Sequence, residues 1–169
     1  MMDAFPNLDF RLAKPTDHKA LWDIIRPIIR KGGTYVFSPD SSEQEMMEYW
    51  MGTDKSTYVA EMEGKIVGTF YLKPNQPGLG SHVCNAGFMV DEKESGKGIG
   101  RQMGLFALKE AKKAGYHAMQ FNFVISINLA AMKLWKSLGF EIVGEIPEAY
   151  RHPEKGFVGV CVMYRRLEN

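Results

Sequence analysis

The run Gly96-Lys97-Gly98-Ile99-Gly100-Arg101 constrains this chain more than any other segment, because it joins a strand expected over Asn85–Asp91 to a helix expected over Gly98–Ala114. A strand that passes through a glycine-rich turn straight into a helix leaves the loop amides and those of the first helical turn pointing outward together. Glycine places no Cβ in front of them, so the turn is a ready cradle for a diphosphate. The acidic run Asp91-Glu92-Lys93-Glu94 precedes the loop, while Lys97 and Arg101 lie within it, where a polyanion would arrive. The same glycines also suit a plain helix-entry turn, and a lone glycine-rich loop does not choose between the two. Spacing does exclude two other phosphate loops. A dinucleotide fingerprint needs a small residue where Arg101 or Met103 stands, and a P-loop needs Ser or Thr at Gly98 and glycine at Asp91.

Around this junction the hydrophobic pattern alternates between two periods. Phe10–Ala13 reads as a short strand, and Pro15-Thr16-Asp17 opens a helix with Leu21, Ile24, Ile25 and Ile28 on one face, which Pro27 is expected to kink or shorten. Gly32-Gly33 ends it, and Ser38–Ser42 begins a second helix with Met46, Met47, Tyr49 and Trp50 facing the core or a pocket. Tyr58–Met62 and Ile66–Lys73 form a hairpin about Glu63-Gly64-Lys65, and His82–Val90 leads into the glycine loop. His117–Ile125 is a strand, and Asn128 starts a helix carrying Ala131, Leu134, Trp135 and Leu138 until Gly139. Phe140–Ile146 and Phe157–Arg166 are strands. The order β-α-α-β-β-β-α-β-α-β-β predicts an α/β sandwich built on a mixed sheet.

The whole chain fits one domain over 1–169: its 169 residues, 45% of them hydrophobic, suffice for one full core. The 21 Lys and Arg against 20 Asp and Glu leave +1, with no long block of like charge, which argues against nucleic-acid binding and for a small-molecule partner. Cys84 and Cys161 are too few for a disulfide framework, and no Cys/His cluster has metal-ligand spacing, so a reducing, cytoplasmic setting without a metal is expected. Met1–Phe10 lacks a basic and then apolar leader, and no stretch approaches ~18 apolar residues, so neither secretion nor membrane insertion is expected.

Two ordered segments, Val90-Asp91-Glu92-Lys93-Glu94-Ser95-Gly96-Lys97-Gly98-Ile99-Gly100-Arg101 and Asn128-Leu129-Ala130-Ala131-Met132-Lys133-Leu134-Trp135-Lys136-Ser137-Leu138-Gly139-Phe140, together resemble the GCN5-related N-acetyltransferase (GNAT) family. A narrower resemblance, to fungal acetyltransferases acting on proline analogues such as azetidine-2-carboxylate, is carried by Gly68–Asn75, Ser81–Phe88, and Phe121-Asn122 with Asn128. The resemblance implies a mostly antiparallel mixed sheet with helices on both faces and a splayed central parallel strand pair. It implies acetyl-CoA as co-substrate, a small amine as acceptor and, as in many members, a homodimer, whose interface no residue identifies.

Carried onto this chain, the family places backbone donors for the thioester at Phe88, Met89 and Val90, and the diphosphate on Ser95, Gly96, Lys97, Gly98, Ile99, Gly100 and Arg101. Lys97 and Arg101 are candidate phosphate cations or plain surface charges. Asn128 is expected at the pantetheine arm or the substrate. Asn85 and Asn122 fall on the flanking strands as catalytic candidates that position an amine or carboxylate without deprotonating it; they serve equally as caps of strand hydrogen bonds. Two departures stand out. Ser95 replaces the usual Gln or Arg, and Trp135 occupies the place of a tyrosine that protonates the departing thiolate in many members. A thiol of pKa ~8.5 leaves without a strong acid, so that loss is tolerable. His82 and, through water, Glu92 are base candidates, or simply a strand histidine and a solvated charge. The expected reaction is direct acetyl transfer to a small amine, an amino acid or proline-like imino acid. The alternatives are a herbicide-like amino acid, a polyamine or a protein N-terminus as acceptor, or a non-catalytic acyl-CoA sensor.

Overall fold

The computed structural model describes residues 6–167; residues 1–5 and 168–169, and with them half of the Met1–Phe10 segment, lie outside the described residues. Helix α1, His18–Lys31, forms because Leu21, Ile24, Ile25 and Ile29 recur every three or four residues, and all four are buried. It runs through Pro27 to Lys31, so the proline does not shorten it. Pro27 lies on the exposed face, where water can reach the Asp23 carbonyl left without a donor. Helix α2, Glu43–Trp50, opens on a reciprocal cap: Ser42 Oγ accepts from the Glu45 amide at 3.1 Å, and Glu45 Oε2 accepts from the Ser42 amide at 2.7 Å. Helix α3 spans Ile99–Lys113, and α4 spans Leu129–Ser137.

Seven strands complete the fold: β1 Asp9–Leu12, β2 Ser56–Met62, β3 Lys65–Pro74, β4 Val83–Val90, β5 Ala118–Ile125, β6 Glu141–His152 and β7 Gly156–Arg166. They form one sheet in the order β1-β2-β3-β4-β5-β7-β6, antiparallel except for β4 beside β5. The element order and the parallel central pair match the expectation from sequence. The β2–β3 turn uses Glu63 at φ 52° and Gly64 at φ 79°, the left-handed pair that suits the twist of a tight hairpin. Strand β6 runs six residues beyond Ile146, the end expected from sequence. Pro147 and Glu148, the latter at φ 52°, interrupt the ladder between Ile146 and Tyr150, and the strand then resumes against β7.

Helices cover both faces. Helices α1 and α2 bury Leu21, Ile25, Met46 and Trp50 against Val59, Tyr71 and Met89. On the other face α3 and α4 bury Met103, Ala107, Met132 and Trp135 against Phe70, Phe121 and Phe140. Full burial of an aliphatic or aromatic side chain contributes roughly 1.5–3 kcal/mol. The two layers therefore clamp the sheet, and the place where it opens between them is fixed.

Candidate active site

The opening lies between β4 and β5. Their parallel pairing is confined to Val83 with Ala118 and Cys84 with Met119, and β5 shifts register between Phe121 and Val124 as it follows β7 instead. Asn85 stands at the point of divergence. Its side chain is buried, and its Nδ2 donates to the Gln120 carbonyl at 3.0 Å, closing with a side chain the first rung that the backbone leaves unmade. Asn85 Oδ1 has no protein donor, yet no side-chain polar atom among the described residues is both fully enclosed and unpartnered, so this oxygen is open to the cavity beyond. That cavity has a volume of about 750 Å³. Its walls are β4 from Asn85 to Val90, β5 from Phe121 to Ile125, the segment after α1 from Thr34 to Phe37, and Ser95, Gly100, Asn128 and Trp135.

The β4 backbone presents its groups alternately to β3 and to the gap. The Asp91 amide donates to Val67 O and the Asn75 amide to Val83 O, both at 2.8 Å, so odd-numbered residues of β4 face β3. Among the three expected backbone donors, the Met89 amide is thus committed to the β3 ladder. Phe88 faces the gap, but its amide donates to Tyr35 Oη at 2.8 Å, and the same hydroxyl donates to the Phe88 carbonyl. Val90 faces the gap beyond the last β5 pairing, and its N–H has no acceptor among the described residues.

The glycine loop follows. Gly96 at φ 80° and Gly98 at φ 78° adopt the left-handed conformation, and Gly98 is the residue on which α3 begins. The Gln102 amide is the first to bond within the helix, to Gly98 O at 3.2 Å. Among the described residues, the amides of Gly96, Lys97, Gly98, Ile99, Gly100 and Arg101 donate to no protein group. Six consecutive unpaired N–H groups at the positive end of a 15-residue helix form an anion site. The residues present therefore fit the diphosphate of a CoA thioester. Lys97 and Arg101 are turned to neighbours: Lys97 Nζ meets Glu94 Oε2 at 2.5 Å, and Arg101 Nη1 donates to Ser137 Oγ at 2.9 Å. Both side chains thus stand beside the cradle.

Asn128 caps α4, its Oδ1 accepting from the Ala131 amide at 3.2 Å, which leaves Nδ2 for the cavity that the residue lines. Trp135 is buried between Phe88 and Phe121, with ring centroids 4.8 and 4.6 Å away. Gly104 of α3 makes that seat possible, since a Cβ there would lie 2.5 Å from Leu138 Cδ1 and 3.2 Å from the Trp135 ring. Asn122 is exposed and lines the cavity, donating Nδ2 to Asn75 Oδ1 at 2.7 Å and accepting from Gln120 Nε2 at 3.0 Å. Glu92 lines the cavity 4.0 Å from Lys31 Nζ. His82 does not; it immediately precedes β4, at the end that pairs with β5, its ring 6.0 Å from that of His117.

Sequence reasoning placed Tyr49 toward the core or a pocket and missed the rest of the aromatic wall. Tyr35 has its phenol pushed above the ordinary value, chiefly by burial, which keeps the hydroxyl neutral. Tyr150 of β6 accepts the Gly33 amide at 2.9 Å and donates to Tyr35 O at 3.1 Å, tying the β6–β7 hairpin to this segment. Tyr49 and Tyr71 stand with hydroxyls 3.3 Å apart on the α1/α2 side, where burial and then the Tyr49 hydrogen bond raise the Tyr71 phenol. The one signal available was an aromatic pair, Tyr35 and Phe37, directly after a helix stop.

Known proteins resemble this chain in sequence and in fold. A model of the Acetyltransferase (GNAT) family matches residues 21–140. Over 98 residues the chain is 38% identical to N-acetyltransferase aca1 of Schizosaccharomyces pombe, a match covering 58% of this chain and 47% of that protein. Over 104 residues it is 32% identical to N-acetylaspartate synthetase of Xenopus tropicalis, covering 60% of this chain and 37% of the other. The chain thus spans less than half the length of each of these curated relatives. The solved structure of a GCN5-related N-acetyltransferase from Kribbella flavida superposes with a TM-score of 0.90 at 38% identity, covering 95% of this chain and 98% of that one. The chain belongs to the GNAT acetyltransferase family.

Proposed function

We propose that the chain, acting as one N-acetyltransferase domain over 1–169, transfers acetyl from acetyl-CoA directly to the amine of a small molecule. The acceptor is an amino acid or proline-like imino acid. The observation that carries this reading is the run of six unpaired amides from Gly96 to Arg101, whose Gly100 lines the cavity where β4 and β5 part.

In this reading the amides and the α3 N-terminus hold the diphosphate, with Ser95 at the rim and Lys97 and Arg101 flanking. Asn128 Nδ2 serves the pantetheine arm. The Val90 N–H donates to the oxygen that gains charge as the amine adds to the thioester carbonyl, the kind of preorganised donor that acts most strongly away from water. Tyr35 fixes the Phe88 peptide beside it. Transfer is direct because the chain offers no thiol nucleophile: burial pushes the Cys84 thiol up to about 12 and raises that of Cys161, and neither residue lines the cavity. Trp135 replaces a proton donor with an indole N–H, so water protonates the departing thiolate. Asn85 Oδ1 and Asn122 orient the acceptor; neither has the basicity to take its proton, which passes to the same water that protonates the departing thiolate.

Two matched relatives support acetylation of an amine, and the printed name of one specifies an amino acid product, N-acetylaspartate. The two free, buried cysteines suit a reducing, cytoplasmic setting, and among the described residues no helix is long and apolar enough to cross a membrane. The assembly proposed is a homodimer, which light scattering on the purified chain tests. The function is tested by thiol release from acetyl-CoA in the presence of proline, azetidine-2-carboxylate, other amino acids and polyamines. Release that depends on an added amino or imino acid supports the reading. Tight acetyl-CoA binding without turnover on any amine would instead make the chain an acyl-CoA sensor.

A further inference from the structure

We infer that Lys73 selects the acceptor: its ammonium receives a carboxylate carried by the reacting amine, which makes carboxylate-bearing amines the preferred substrate class. The inference rests on the acetyl-transfer reading and adds to it the side chain that recognises the acceptor.

Among the described residues three charged ones line the cavity: Lys31, Lys73 and Glu92. Lys31 and Glu92 approach one another at 4.0 Å beside the short turn that leads into the glycine loop. Lys73 is different. Among the described residues its ammonium has neither an ion pair nor a hydrogen bond, and it lies 5.7 Å from the Tyr49 ring centroid. It sits on β3 directly across from Asn85 on β4, so the ammonium and the amide at the strand divergence share one face of the sheet, the face of Tyr71.

The surroundings supply no counterion from within. Asp54 is the carboxylate that senses Lys73, but it lies outside the cavity wall, its side chain is 62% exposed, and it already pairs with Lys55 at 2.7 Å. Its carboxyl is held below the ordinary range first by that hydrogen bond, with a smaller Coulombic contribution from Lys73. The Lys55 ammonium lies 4.2 Å from the Tyr49 ring centroid, so a second cation stands behind the aromatic wall. The acceptor end is thus lined by amides, phenols and one unpaired ammonium. An ammonium that lines the cavity with no anion of its own can take a substrate carboxylate in a charge-assisted bond. A polyamine brings like charge to the same place and is selected against. A peptide N-terminus presents a neutral amide where the carboxylate is wanted.

The experiment compares kcat/KM for matched acceptors with and without the carboxylate, proline against pyrrolidine and azetidine-2-carboxylate against azetidine. It uses the wild-type chain, Lys73→Met and Lys73→Arg, with acetyl-CoA affinity measured on each. The wild type should prefer the acid of each pair by about 10- to 100-fold, the scale of one charge-assisted hydrogen bond. In Lys73→Met that ratio should collapse toward one, and in Lys73→Arg most of it should survive. A wild-type ratio near one, or a ratio that Lys73→Met leaves intact, overturns the inference while acetyl transfer stands. Absence of acetyl-CoA binding, or of turnover with every acceptor, refutes the functional reading itself and the inference with it.

Discussion

Replacing Gly100 by alanine should make the protein more stable and a poorer binder of acetyl-CoA at once. Gly100 is the second residue of α3, and a Cβ built on it meets Leu134 Cδ2 at 3.5 Å and Val90 Cγ2 at 3.9 Å, both ordinary contacts. The fold therefore accepts the methyl group. Removing glycine's unfolded-state freedom from a helical position stabilises by about 0.4–1 kcal/mol. For a domain of this size that raises Tm by about 1–4 °C. Val90 and Leu134 also line the cavity, so the same methyl group enters the space in front of the unpaired amides. If it weakens the phosphate contacts by the equivalent of one charge-assisted hydrogen bond, about 1.5–3 kcal/mol, Kd for acetyl-CoA rises about 10- to 150-fold. Titration calorimetry with acetyl-CoA and thermal unfolding of the free protein read the two effects separately. An unchanged Kd in a variant of unchanged or higher Tm would refute the placement of the diphosphate. A lowered Tm would refute the packing argument.

Trp135→Phe should keep kcat within about 10-fold of wild type, because the indole N–H is not the acid that protonates the thiolate; a loss beyond about 10²-fold in steady-state assays would give it that role. Asn85→Ala removes the donor that closes the gap to the Gln120 carbonyl and should cost about 1–3 kcal/mol in urea unfolding, whereas an unchanged midpoint would deny that the rung matters. Acid sensitivity should be traceable to Asp17. Its carboxyl is held below the usual range first by the Arg11 hydrogen bonds at 2.8 and 3.0 Å, and the side chain is only 9% exposed. A carboxylate whose folded pKa is depressed adds stability above its unfolded pKa of about 4 and loses it as pH falls through the folded value. Stability should therefore drop on acidification below about pH 4, and Asp17→Asn should be less stable at neutral pH with a flatter acid limb; parallel pH profiles would contradict this.

What could be read from the chain beforehand was whatever is local in sequence. The glycine loop, the α4 cap at Asn128 and the element order each rest on residues a few positions apart, and their geometry follows from backbone preferences alone. The far half of β6 was not legible because Pro147 interrupts its pattern, and only the partner β7 shows that the ladder resumes beyond it. Tyr35 was out of reach for a different reason. Its hydroxyl meets Phe88, 53 residues away, and its own carbonyl meets Tyr150, 115 residues away, so its role exists only after the sheet has closed. Lys73 looked like one more strand-end lysine until the cavity put it opposite Asn85 with no anion beside it. For Lys97 and Arg101 the chain left two readings open, phosphate cation or surface charge, and their side chains pair with Glu94 and Ser137.

The central claim is that main-chain amides of the α3 entry grip the diphosphate of coenzyme A, and the most direct measurement removes the diphosphate rather than the protein. Calorimetric titration of the wild-type chain with S-acetyl-4′-phosphopantetheine and with S-acetylpantetheine, which differ only by one phosphate of that diphosphate, isolates its contribution from that of the adenosine. The account predicts that the phosphorylated arm binds at least about 10-fold more tightly, as expected for a charge-assisted hydrogen bond at a helix N-terminus. Equal affinity for the two compounds would contradict it.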